Sequence, residues 1–141
     1  MSTVIATQIT ATPTKRRSAT PKPPHPADRL RVSVTQPSKS VTLCAVAGEV
    51  DQFTAEDFRR EVVGCLNTAA PIVVVDLAKV TFFGVAGLRV LLEARDWAGH
   101  TQRTLRLVTG PRCVDRLLEV ASSTAAFEIV PDLATAVRDV A

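Results

Sequence analysis

Two carboxylates, Glu49 and Asp51, lie two residues apart in the stretch Gly48-Glu49-Val50-Asp51. Such a pair can divide acid and base roles only beside a histidine or a metal ligand, and neither adjoins it in sequence. His25 and His100 are remote, and His100 follows a helical stretch, where a cation is favoured for structural reasons. Cys44, Cys65 and Cys113 are odd in number and form no C-x-x-C pair, so neither a zinc site nor a disulfide framework is indicated. Each sits in an apolar stretch, where a free thiol packs as a small hydrophobe. Redox chemistry at Cys44, Cys65 or Cys113 would require two of them to come within about 7 Å between Cα atoms. Gly84-Val85-Ala86-Gly87 is too short to cradle a phosphate specifically, and Gly110-Pro111-Arg112 reads as a turn. No G-x-G-x-x-G, Walker A lysine motif or H-E-x-x-H occurs. The residues therefore offer no catalytic, metal or cofactor constellation.

The 141 residues suit one domain. The longest apolar run falls far short of the ~20 residues of a membrane helix. Residues 1–20 have no continuous apolar core, so no secretory signal is read there, and the expected location is the cytoplasm. The net charge of +3 belongs to one end of the chain. Residues 1–28 carry Lys15, Arg16, Arg17 and Lys22 against Asp28, while residues 29–141 hold 13 basic and 13 acidic side chains. A neutral body argues against a nucleic-acid-binding face. Five of the nine prolines fall within residues 1–28. That composition predicts a disordered basic arm, followed by a folded domain over 29–141.

The body must supply the elements that hold these residues. Leu30, Val32 and Val34 alternate with polar residues as in a half-buried strand, Gln36 to Ser40 is turn chemistry, and Val41 to Ala47 is a second strand. Gly48 to Asp51 then reads as a tight loop. Thr54 is the expected cap of a helix burying Phe58, Val62 and Leu66. Ile72 to Val75 is a third strand ending at Asp76-Leu77, with Thr81-Phe82-Phe83 a separate short apolar piece. Val85 to Gly99 is a second helix with Leu88, Leu91 and Leu92 inward, and Trp97 on it is a core or edge residue. Thr104 to Val108 is a fourth strand. Pro111 opens a third helix with Val114, Leu117, Leu118 and Ala121 inward. Phe127 to Val130 is a fifth strand. Pro131 to Val140 is a last helix presenting Leu133, Ala136, Val137 and Val140. A hairpin followed by strand-helix alternation implies an α/β fold, a mixed sheet of about five strands packed on about four helices.

Two segments occur together in this frame: Gly48-Glu49-Val50-Asp51, and Val73-Val74-Val75-Asp76-Leu77 followed by Phe82-Phe83-Gly84-Val85-Ala86-Gly87-Leu88 and Leu91-Leu92. Their order and spacing resemble the STAS family, the bacterial anti-sigma-factor antagonists, over about residues 30–140. The resemblance implies a non-enzymatic protein that binds an anti-sigma factor of histidine-kinase-like ATPase fold and so frees a sigma factor. It implies no cofactor and no direct nucleic-acid or membrane contact. It also implies a partner surface at Gly48, Glu49, Asp51, Gly84, Val85, Ala86, Gly87 and Arg89.

The resemblance further implies a phosphorylated Ser or Thr after the third strand, at a helix N-terminus. A phosphate there adds about −1.5 to −2 charge to a packed interface. In this chain Gly84 takes the place of an Asp, Val85 that of a small residue and Ala86 that of the phosphoacceptor. No Ser or Thr lies between Phe82 and Gly99. The expectation is an antagonist without the usual switch. A diverged scaffold or regulatory subunit of a transporter or stress complex is the alternative, and a nucleotide- or small-molecule-binding protein the third reading.

Overall fold

The computed structural model describes residues 29–122 and 126–138. The arm expected over residues 1–28 lies outside the described residues. The elements run β1 (Leu30–Ser38), β2 (Val41–Val50), α1 (Ala55–Leu66), β3 (Ile72–Phe83), α2 (Val85–His100), β4 (Thr104–Val108), α3 (Arg112–Val120), β5 (Glu128–Val130) and α4 (Leu133–Ala136). The strands form one sheet in the order β1-β2-β3-β4-β5. β1 pairs antiparallel with β2 as a hairpin, and β2 through β5 are parallel neighbours.

Each parallel crossover advances by one strand in the same direction. Right-handed crossovers then place all three connecting helices on one face. The main core agrees. Phe58 and Val62 of α1, Leu88, Leu91 and Ala94 of α2, and Val114 and Leu118 of α3 meet Cys44, Val46, Val73, Val75 and Leu107 of the sheet. Phe58 and Phe83 pack edge to face at 6.1 Å between ring centroids. The opposite face has a smaller cluster of Val41, Ile72, Val74 and Val108, covered by Ala136 of α4. β3 is central, so its first four residues are buried on both sides, and the unbroken β-branched run Ile72 to Val75 follows from that.

Several expectations need correction. β3 does not end at Asp76-Leu77 but continues through Phe83. Its register against β2 slips twice, between Asp76 and Lys79 and between Val80 and Phe82. Asp76 Oδ1 accepts from the Ala78 amide at 3.0 Å. The turn chemistry is therefore real but makes a bulge, which bends and twists a strand without ending it. Likewise β2 runs through Val50, so Gly48 and Glu49 are strand residues and only Asp51 begins the turn. β1 is an edge strand, which leaves Val34 47% exposed. Ala121 is exposed beyond the end of α3. Trp97 lies at the edge of α2, its indole N–H 3.3 Å from the Asn67 side-chain oxygen.

The final helix is shorter than its periodicity suggests. Within the described residues it spans only Leu133–Ala136, with Leu133 exposed and Ala136 buried. Asp132 caps its start by accepting from the Thr135 amide at 2.8 Å. Arg106 reaches from β4 to the carbonyls of Ala136 and Arg138, binding the chain where a longer helix would have continued. Val140 lies outside the described residues.

Candidate functional site

The C-terminal ends of β2 and β3 meet the starts of α1 and α2 at one rim of the sheet. Val50 pairs with Phe83, and the Gly84 amide donates to the Val50 carbonyl at 2.9 Å, so the two segments singled out in the sequence are joined by backbone. Between them lies an open groove. Asp51, Gln52 and Phe53 form one wall, and Phe82, Gly84, Val85, Ala86 and Arg89 form the other. Its apolar content is conspicuous: Phe53 is 65% exposed, Phe82 50% and Val85 58%. Large apolar groups gathered in one exposed patch mark a contact surface more than a fold requirement.

The acidic wall is braced by one shared cation. One guanidinium nitrogen of Arg29 lies 2.9 Å from Glu49 Oε1 and 2.6 Å from Asp51 Oδ2. The same guanidinium sits 5.9 Å from the centre of the Phe53 ring. Asp51 also folds back on the chain, its Oδ1 accepting from the amides of Phe53 (2.9 Å) and Thr54 (3.1 Å). Thr54, expected to cap α1 with its own side chain, instead accepts from the Asp51 amide and donates to the Glu49 carbonyl, each at 2.9 Å. Burial works against the charge on Asp51. The hydrogen bonds from Arg29, Phe53 and Thr54 outweigh it and hold the carboxyl below the usual carboxylate range.

That shift sets a pH dependence. A carboxyl with a depressed folded pKa adds stability above its unfolded pKa of about 3.9, and this is lost as pH falls through the folded value. In urea titrations Asp51→Asn should therefore unfold earlier than wild type at pH 7, by a gap that stays level down to about pH 4 and closes below it. A gap persisting unchanged to pH 2 would contradict this account.

Asp51, Gly84, Val85, Ala86 and Arg89 line the groove; Gly48, Glu49 and Gly87 do not. Glu49 stands beside it in the Arg29 ion pair. Gly48 (φ 104°) is half-buried in β2, and Gly87 is buried in α2. A Cβ on Gly87 would lie 2.7 Å from Val50 Cγ1 and 2.8 Å from Phe83 Cε1, so glycine there lets α2 close onto the sheet. Ala86, in the first turn of α2, carries no hydroxyl. Thr81, the nearest hydroxyl in sequence, is held in β3 and donates to the Gly48 carbonyl at 3.2 Å.

Phe53 and Arg29 line or brace the groove although the sequence motifs do not include them, and Phe82, part of the second motif, was not among the expected partner-surface residues. Phe82 had a partial signal, because adjacent residues of a strand point to opposite faces and Phe82 and Phe83 therefore face different surroundings. Arg29 had none.

The cysteines lie outside the groove. Cys44 and Cys65 are buried, and Cys113 is half-buried. A hydrogen bond to Cys65 and then burial push the Cys44 thiol far above its ordinary value, so it remains protonated at neutral pH. Among the described residues no group of three or more His, Cys, Asp or Glu is placed to hold a metal. No helix among them is long and apolar enough to cross a membrane.

Comparison with known proteins places this geometry. The family model described as "Mlab, STAS domain" matches residues 32–130. No curated protein matches the chain. Among solved structures, an anti-sigma factor antagonist from Mycobacterium paratuberculosis superposes with a TM-score of 0.70 at 24% identity, covering 78% of this chain and 92% of that one. An anti-sigma-factor antagonist (STAS) domain protein from Planctomyces limnophilus gives 0.64 at 20% identity, covering 75% and 94%. The Bacillus cell fate determinant SpoIIAA in its phosphorylated form gives 0.57 at 10%, covering 72% and 93%. These likenesses establish a shared fold, and the family match spans most of the sheet and the whole of the groove. The chain belongs to the STAS-domain family.

Proposed function

We propose that this protein is an anti-sigma-factor antagonist that binds a partner through the groove between Phe53 and Val85 without a phosphorylation switch at that site. The observation that carries the reading is the exposed apolar cluster of Phe53, Phe82 and Val85, placed where the two STAS-like segments converge. The antagonists named above share the fold, which supports the role without fixing it. The partner in this reading is an anti-sigma factor of kinase-like ATPase fold, met in the cytoplasm. The protein itself binds and performs no catalysis. Gly48 and Gly87 shape the surface, Gly84 starts α2, and Glu49 and Asp51 brace it through Arg29.

Ala86 sits in the first turn of α2, where a phosphate would be favoured by the helix dipole, but it has no oxygen to carry one. Binding is then constitutive, controlled by abundance or by a group elsewhere in the chain. The test is to isolate the full-length chain with its bound anti-sigma factor, add ATP and magnesium, and measure the intact mass of each component. The mass of this chain is expected to stay unchanged and the complex to persist. A phosphate mapped within residues 81–99, with release of the partner, would defeat the reading.

A second reading rests on the departure at Gly84-Val85-Ala86. The same groove would then hold a component of another assembly, such as a transporter, with this chain as its regulatory subunit. Recovery of a transporter component in place of an anti-sigma factor would decide for it.

A further inference from the structure

The charges around the groove are unevenly engaged. Asp51 and Arg89 are the charged residues that line it. Asp51 is satisfied from within, by Arg29 and by two backbone amides. Glu49 beside it is engaged by the same guanidinium. Arg89, exposed on the first turns of α2, has no hydrogen-bonding or ion-pairing partner among the described residues. The two carboxylates thus share one guanidinium, which holds the wall and leaves it one net negative charge. Arg89 is the charged side chain lining the groove without a partner among the described residues.

We infer that the groove receives a protein segment in which an apolar side chain lies close to a carboxylate, the apolar group packing on Phe53, Phe82 and Val85 and the carboxylate pairing with Arg89. This rests on the groove being the partner surface, and it names the chemistry of the partner. The apolar part follows from the exposed area, since burying aromatic and aliphatic surface drives association and aromatic anchors concentrate binding energy. The acidic part follows from complementarity. A guanidinium forms bidentate pairs with carboxylates, and a lysine or arginine presented to this groove would meet a like charge at Arg89 and carboxylates already bonded to Arg29. Asp51, with both oxygens engaged, could answer a basic partner only by giving up Arg29, which would also loosen the turn that seats Phe53. The segment that fits is therefore acidic and apolar.

The test works with the partner still unidentified. A phage-displayed library of random dodecapeptides is panned against the full-length wild-type chain and against Arg89→Glu. Arg89 is exposed and unpaired among the described residues, so the substitution is expected to leave the fold intact, which circular dichroism checks. Wild type should enrich sequences that combine an apolar residue with Asp or Glu. Arg89→Glu should enrich Lys or Arg in place of the acid. The best wild-type peptide, made synthetically, should bind Arg89→Glu about tenfold more weakly, keep more of its affinity for Arg89→Lys, and weaken as salt is raised. Enrichment of basic sequences on wild type, equal binding to wild type and Arg89→Glu, or no enrichment on wild type would each overturn the inference. Should Arg89→Glu prove misfolded, Arg89→Gln takes its place, and equal peptide affinity there would overturn the inference too. Capture of a component other than an anti-sigma factor would end the antagonist reading and leave this result intact. A basic consensus alongside a captured anti-sigma factor would do the reverse.

Discussion

Gly48→Ala is expected to lower the free energy of unfolding by roughly 3 kcal/mol, the sum of backbone strain and an unavoidable clash. Gly48 has φ 104°, a conformation that L side chains rarely adopt. A Cβ there would lie 2.0 Å from the Arg29 carbonyl oxygen and 3.0 Å from its carbon. Both are backbone atoms, so no rotamer change relieves the contact, and the start of β1 must move. That displacement reaches function, because Arg29 is the residue that clamps Glu49 and Asp51. Urea unfolding of the variant should show a lower midpoint with a similar slope. Gly64 lies in α1, and a methyl group placed on it would have nothing within 4 Å, so Gly64→Ala is the matched comparison without a clash. A midpoint for Gly48→Ala equal to that of wild type would mean that the crossing of Arg29 over Gly48 is soft.

The second large effect is on binding. Phe53→Ala combined with Phe82→Ala should weaken the complex with the captured partner by about a hundredfold, the loss typical of removing aromatic anchors from the centre of an interface. Both rings are at least half exposed in the free protein, so their removal should cost little stability. The two outcomes are read by calorimetric titration and by a urea melt on the same preparation. An unchanged affinity would move the interface away from the groove. A collapsed melting curve would show that the rings support the turn at Asp51 more than the alternation of β3 suggests.

The order of elements was legible because each strand and helix carried its own period: Leu30-Val32-Val34 for a half-buried strand, Phe58-Val62-Leu66 for a helix, Ile72 to Val75 for a strand buried on both faces. What the period did not reveal was where a strand absorbs extra residues. Asp76 and Leu77 look like an end, and only the pairing of β3 with β2 shows that the chain takes up the slack as two register slips and runs on. Those slips matter for the site, since they precede the turnover that leaves Phe83 buried and Phe82 exposed. The last helix falls short of its apparent period for a related reason. Leu133, Ala136 and Val137 keep a helical spacing, but Arg106, thirty residues earlier, takes the carbonyl of Ala136. At the groove, Asp51, Gly84, Val85, Ala86 and Arg89 were legible from the resemblance in the sequence. The role of Arg29 was not, because an arginine bordering a proline-rich stretch carries no mark of the carboxylates it will meet about twenty residues later.

The uninterrupted strand order has one more consequence. Every strand of the sheet lies beside the strand made just before it, so no early segment waits for a late one to arrive. A chain emerging from the ribosome can close β1 on β2, add β3 across α1, then β4 across α2, each step closing only a short loop. The groove is complete once α2 has formed, before β4, α3, β5 and α4 exist. Its walls are drawn from the earlier part of the folded domain, and the later units are added along the far edge of a sheet whose groove is already in place.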